Sequence, residues 1–275
     1  MDLQCDVVMF SGPSIDVFQH QKMRTLVAPI KQVFKPDSQH EISPLGSSLL
    51  SHFPNLLKWH CYDRQTTLSV PFQRIKAEVD ICCPKMSQID TWKTPSPALY
   101  DILANAFRNL KFITFEYEQL SRDIIMALLF HQSTLLYVSA TSDTIRSDIE
   151  QDEIFSVDDP FEIHGRALQL LPRTCSSLTI LNLECHKMDM DHVEEEEWAC
   201  KGLQKLRVRI KDLNTKENVA TALQLWTERR NKGDSDGDDH MHGEHETDLQ
   251  MRVARHLLKF KRLHSVWLGT HVSYV

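Results

Sequence analysis

From Phe53 to the end, the chain repeats one arrangement of polar and apolar positions. A leading aromatic, cysteine or, once, glutamine precedes two mostly polar or small residues. A leucine-like anchor then opens the pattern Leu-x-x-Φ-x-Φ, where Φ is apolar. The segments run from Phe53 through anchor Leu56 to Cys61, Cys83 through Met86 to Thr91, Phe107 through Leu110 to Phe115, and Gln132 through Leu135 to Ala140. Three more run from Cys175 through Leu178 to Leu183, Cys200 through Leu203 to Val208, and Phe260 through Leu263 to Leu268. Each alternates as a half-buried strand does, as where Leu206, Val208 and Ile210 interleave with Lys205, Arg207, Arg209 and Lys211. Subtracting consecutive anchor numbers gives spacings of 30, 24, 25, 43, 25 and 60 residues. The three at 24 or 25 match a short strand-helix repeat, and the longer gaps are read as insertions.

Between the strands the apolar period becomes helical. Ser96 and Pro97 supply an N-cap and a first-turn proline for Leu99, Ile102, Leu103 and Ala106. Ser121 with Asp123 starts a helix through Phe130, and Thr215 with Glu217 starts another whose face is Val219, Ala222, Leu223 and Trp226. Asp248 precedes a final helix carrying Leu249, Val253, Leu257 and Phe260. One such unit cannot bury its strand and helix faces alone, so units must stack. The expected fold is α/β, an irregular repeat solenoid with a curved parallel sheet on the concave side and helices on the convex side. A doubly wound α/β domain is the competitor, disfavoured because no Gly-rich turn follows a strand. Residues 1–44 are expected to form an atypical N-terminal cap or partial repeat, and 45–275 the repeat domain with a disordered acidic insertion at 232–248.

Composition narrows the function. With 275 residues, 41% hydrophobic, the chain can bury a real core. A net charge of -7 and only 8 glycines argue against phosphate-backbone binding and phosphate-cradling loops. Residues 234–248 hold seven acids and no Lys or Arg, so 38 acids less those seven equal the 31 bases. The acidity is therefore local. The longest apolar run, Ile124 to Phe130, falls far short of the roughly 20 residues of a spanning helix, and no secretory signal opens the sequence. A cytoplasmic or nuclear protein without membrane or nucleic-acid partners is expected. Seven cysteines, an odd number without Cys-x-x-Cys spacing, fit reduced, mostly buried thiols. In the acidic segment, counting a calcium loop from Asp234 sets Asp239 and His245 where Gly and Glu are required. His240, His242 and His245 lack the four fixed ligands of a closed zinc site, so no metal or other cofactor is expected.

The stretch Trp198-Ala-Cys200-Lys-Gly-Leu203-Gln-Lys-Leu206-Arg-Val208-Arg-Ile210 resembles the leucine-rich repeats of fungal F-box-type proteins. The wider pattern, over roughly residues 45–275, is similar to ribonuclease-inhibitor-like repeats. The resemblance implies an adaptor whose repeats bind another protein, in the F-box case the substrate-recognition subunit of a Skp/cullin-type ubiquitin ligase. Two features depart from it. Eight residues past each anchor, where the family has Asn or Cys, stand Arg64, Thr94, Glu118, Asp143, His186, Lys211 and His271. The first 45 residues carry no F-box pattern, so a Skp-type adaptor is expected only if the full-length chain has one.

In-register strands would turn the residues between the buried apolar ones to one face. The candidate partner-binding residues there are Tyr62, Trp92, Phe112, Tyr137, Lys205, Arg207, Arg209 and Trp267. Aromatics beside charges make interaction hot spots. The five Lys and Arg of 201–211 would favour a partner with an acidic segment. No nucleophile elbow, phosphate loop, zinc-protease or dinucleotide motif occurs, and Cys185-His186 alternate across a strand, so no catalytic residue is assigned. The function expected is non-catalytic protein binding, with ligase substrate recognition and an unrecognised hydrolase as alternatives.

Overall fold

The computed structural model describes residues 7–9, 23–28, 33, 49–62, 72–92, 102–105, 107–116, 120–141, 162–232 and 245–269. The chain divides into two compact units, Met1–Leu135 and Leu136–Val275. The first holds β1 (Val7–Met9), β2 (Thr25–Val27), β3 (Lys58–Tyr62), β4 (Gln88–Trp92) and β5 (Phe112–Glu116), each parallel to the next in chain order. The second holds β6 (Tyr137–Thr141), β7 (Ile180–Met188), β8 (Lys205–Ile210) and β9 (Ser265–Leu268), again parallel and consecutive. Parallel neighbours need a crossover, and helices supply it, so the fold is α/β. Strands β3 to β9 begin at the second residue after their anchors, whereas β1 and β2, within residues 1–44, have no anchor pattern to announce them.

The described crossovers are a 3-10 turn at Leu49–His52, α1 (Phe72–Cys82), a helical stretch at 102–105, α2 (Arg122–Leu129), α3 (Glu162–Thr174), α4 (Met190–Glu195), α5 (Lys216–Lys232) and α6 (His245–Leu258). Ser121 caps α2 by accepting from the Ile124 N–H at 3.3 Å, and Thr215 Oγ1 accepts from the Asn218 N–H at 3.1 Å ahead of α5. The buried face of α5 is Val219, Ala222, Leu223 and Trp226 as the spacing predicts, and Ile102 and Leu103 are buried in the stretch led by Ser96-Pro97, whose start lies outside the described residues. Helix α6 begins at His245, three residues before the expected start at Asp248. The tail of the predicted acidic insertion is thus helical, and 233–244 lies outside the described residues. Helices α1, α3 and α4 are not announced by the sequence. Pro172 within the last turns of α3 breaks the helical signal there, and six-residue α4 is too short to display a period.

One hydrogen-bonded turn recurs at the anchors. The carbonyls of Phe53, Cys83, Cys175, Cys200 and Phe260 each accept from the N–H of the anchor three residues on, at 3.0–3.1 Å. The carbonyl just past an anchor then accepts two N–H groups of the following repeat: Leu57 from Ser87 and Gln88, Thr179 from Gln204 and Lys205, Gln204 from His264 and Ser265. Buried backbone groups must find partners, and this ladder provides them at the entries of β4, β8 and β9. The leading side chain of one segment reaches the turn of the segment before it. Cys83 Sγ donates to the Phe53 carbonyl at 3.3 Å, and the anchors Leu56, Leu110, Leu135, Leu178, Leu203 and Leu263 are fully buried.

The fourth segment corrects the pattern. Its expected leader, Gln132, is exposed, and His131 is buried instead, its carbonyl accepting from Leu135 N–H at 2.9 Å. The turn is one residue longer, so the reading frame drawn from the anchor misses the buried side chain by one. Burial lowers the His131 pKa, and the ring bonds the Leu103 carbonyl through Nε2.

Candidate functional site

Each unit presents a row-aligned strand face. In the first, register sets Lys58, Gln88 and Phe112 in one row, His60, Asp90 and Thr114 in the next, and Tyr62, Trp92 and Glu116 in a third. Paired residues of a parallel ladder project to the same side, so Tyr62, Trp92 and Phe112 occupy one face as predicted from alternation. The apolar partners Trp59, Cys61, Ile89, Ile113 and Phe115 are buried on the other. Trp59 donates its indole N–H to the Ala28 carbonyl at 3.0 Å, tying β3 to the end of β2.

On this first face the charges of Lys58 and Asp90 neutralise one another. Asp90 is 5% exposed, and its carboxylate takes an ion pair from Lys58, His60 Nδ1 at 3.7 Å and the Gln88 amide at 3.5 Å. Burial pushes the Asp90 carboxyl up, but the hydrogen bonds from His60 and Lys58, the Lys58 charge and Gln88 outweigh it and hold the pKa below the ordinary carboxylate range.

In the second unit the rows are Tyr137, Ile180, Lys205 and Ser265, then Ser139, Asn182, Arg207 and Trp267. The predicted residues Tyr137, Lys205, Arg207 and Trp267 share this face, with Leu206, Val208 and Ile210 buried behind it. Within the second row the Asn182 amide donates to Ser139 Oγ at 3.0 Å, and both are buried beneath their larger neighbours. Arg207 reaches Glu184 at 3.4 Å, with 45% of the arginine side chain exposed, a contact screened by water. Arg209 is half-buried, and Gly269, at φ +25°, lies against it. A Cβ on Gly269 would stand 2.6 Å from Arg209 Cγ, so glycine is what allows the stem of Arg209 to lie there.

Strict alternation would set Glu184 opposite Arg209. The structure does not. Leu183 pairs with Val208, but Lys187 pairs with Arg209 and Met188 with Ile210. From Leu183 to Met188 is five residues against two from Val208 to Ile210, so β7 carries three extra residues, Glu184, Cys185 and His186. This bulge replaces an acid with a base beside Arg209 and makes Lys187 a face residue that the sequence reading misses. A signal was present: the buried positions of β7 pass from Leu181 and Leu183 to Met188, a change of parity that requires an odd number of added residues. Cys185 and His186 fall in the same bulge, so the alternation expected of a regular strand does not apply to them.

Other reactive groups are held inert. Burial pushes the Cys83 and Cys200 thiols up to about 12, well away from a reactive thiolate. Cys61, Cys83, Cys175 and Cys200 are all buried, and none is in a disulfide. His256 is buried edge-on to Trp198, ring centroids 4.7 Å apart, and against Phe260 at 5.3 Å; burial first, then Lys259 and Lys201, lowers its pKa to about 3. Among the described residues no group of three or more His, Cys, Asp or Glu is arranged to hold a metal ion, and no helix is long and apolar enough to cross a membrane. His240 and His242 lie outside the described residues, and His245 opens α6. The chain matches no protein-family model, no curated protein and no solved structure.

Proposed function

We propose that the protein is a leucine-rich-repeat binding module, non-catalytic, that engages a protein partner through the strand faces of its repeats. The observation that carries the reading is the second unit's face. There Lys205, Arg207 and Arg209 alternate outward along β8 above a fully buried apolar row, with Trp267 in register beside Arg207. Solvated lysines need no such company, whereas an aromatic flanked by cations on a rigid strand buries area at little entropic cost when a partner docks. The repeated anchor turn supports the leucine-rich-repeat assignment, because it holds successive strands in register by identical hydrogen bonds. Tyr62, Trp92 and Phe112 extend the same mode of contact on the first unit, and Tyr137 on the second.

The basic column favours an acidic segment on the partner. Affinity capture from native lysate with wild type and with a Tyr62→Ala/Trp92→Ala/Arg207→Glu/Arg209→Glu variant tests the reading. Partners retained by wild type are expected to be lost from the variant; an identical set from both would refute it.

A further inference from the structure

Behind the strand face of the second unit, the buried row of β8 does not pack solidly. Leu206, Val208 and Ile210 share the wall of a void of about 10 Å³ with Met188, Met190, Trp198 and His256. Three elements bring these side chains to one place. Met188 ends β7, buried and in register with Ile210 because of the bulge. Met190 opens α4 behind the Asp189 cap. His256 lies on α6 one turn beyond Arg252, which holds α6 to α4 through Asp191 at 2.6 Å and Glu194 at 2.7 Å.

His256 is 6% exposed, and neither of its ring nitrogens has a hydrogen-bond partner among the described residues. Buried polar groups are nearly always paired, so the exception asks for a ligand. A water is a poor one, because it needs two or more polar partners and the Trp198 N–H on the same wall already donates to Gln169 at 3.0 Å. What the wall offers instead is a neutral imidazole and two thioether sulfurs. Hard cations prefer oxygen, whereas thioethers select soft ones such as Cu(I), which imidazole suits equally. No carboxylate or thiolate lines the void to offset the charge of an ion, and the Born cost of burying two charges is about four times that of one. Lys259 and Lys201, near enough to disfavour a cation at His256, strengthen the preference for a single charge. Trp198, edge-on to His256 with ring centroids 4.7 Å apart, adds the kind of apolar surface that attracts a cation.

We propose that Met188, Met190 and His256 form a binding site for one soft monovalent metal ion, Cu(I), with Trp198 as its aromatic wall. The ion is smaller than the water-sized body the void can take, and unbranched methionine side chains are flexible enough to close on it to metal-ligand distances of roughly 2.0–2.3 Å. Bound there, it ties the end of β7 and the start of α4 to α6. The site lies behind the strand face and is independent of partner binding.

The test uses the full chain carrying 13C at its methionine methyls, with Ag(I) as a redox-stable ion of the same charge and softness. Of the nine methionine signals, the two removed by Met188→Leu and Met190→Leu are expected to shift and saturate together. Each of these substitutions keeps the side-chain volume and the fold. Each is expected to raise the Ag(I) concentration needed to shift the other methyl at least about tenfold, since losing a ligand costs no less than losing an outer-shell partner. His256→Phe is expected to abolish both shifts, and Zn(II) to move neither signal. The seven cysteines also take up Ag(I), so the methyl signals and not the number of ions bound are decisive. Two unmoved methyls at saturating Ag(I), shifts that survive His256→Phe, or an equal response to Zn(II) would overturn the site. A methyl whose response is unchanged by loss of the other sulfur would overturn it as well, whether or not His256→Phe folds.

Discussion

The two strand faces rest on the same scaffold and differ in how their charges are settled. In the first unit Asp90 gathers Lys58, His60 and Gln88 around one carboxylate. In the second, Lys205, Arg207 and Arg209 alternate along β8, the Arg207 guanidinium 3.4 Å from Glu184, and Trp267 is in register beside Arg207. The buried sides are alike in chemistry: leucine or methionine anchors behind Cys, Phe or, once, His leaders, with a carbonyl turn at the anchor. Repeats therefore fix where outward residues stand, and only the outward residues decide how far the charges of a face pair within it.

The sharpest break in that comparison would come from the shared scaffold. Leu56→Ala in the first unit and Leu203→Ala in the second are each expected to cost about 3 kcal/mol, because both side chains are fully buried and leave a cavity. Urea unfolding of the two variants checks it, and a cost below about 1 kcal/mol at either anchor would mean that the units are not held in the same way.

A pH series separates the units next. The folded His256 pKa is lowered, to about 3, so its neutral form contributes stability that is fully present above the unfolded value and declines as pH falls from about 6.5 toward 3. Between pH 7 and pH 5 the loss is expected to reach about 2 kcal/mol. Urea midpoints across that range should flatten in His256→Phe; an unchanged slope would assign the effect elsewhere. Asp90 acts in the same direction but lower, since a depressed carboxyl contributes fully above about 3.9 and loses its contribution only below that.

Removing Asp90 tests whether the first face is closed. Asp90→Asn is expected to cost about 1–2 kcal/mol, since Lys58 and His60 lose a largely buried acceptor. In the second unit, Lys205→Gln is expected to change stability by less than about 0.5 kcal/mol, because an exposed cation contributes little to folding. Denaturant titration of the pair measures both, and equal costs would erase the distinction between a self-neutralised face and an open one.

Much of this was legible in the chain. Seven strands fall where the anchors predict, and Tyr62, Trp92, Phe112, Tyr137, Lys205, Arg207 and Trp267 take the predicted parity, because a period of two needs only local alternation to be read. What escaped is equally specific. Strands β1 and β2 are three residues each, too short to alternate visibly; β2 gains its place by pairing with the longer β3, and β1 by pairing with β2. His131 replaced Gln132 because a turn one residue longer keeps the anchor buried.

The sequence by itself determined the α/β repeat, the buried row and the basic column on β8, since each follows from the spacing of apolar and charged residues along one segment. Only the tertiary structure decided which charges meet. Asp90 finds Lys58 from a strand 30 positions earlier, and Lys187 finds Arg209 through a bulge whose three extra residues alter the pairing without altering the composition. Register between strands is set by packing and backbone hydrogen bonds summed over the whole ladder, and no single segment carries that information.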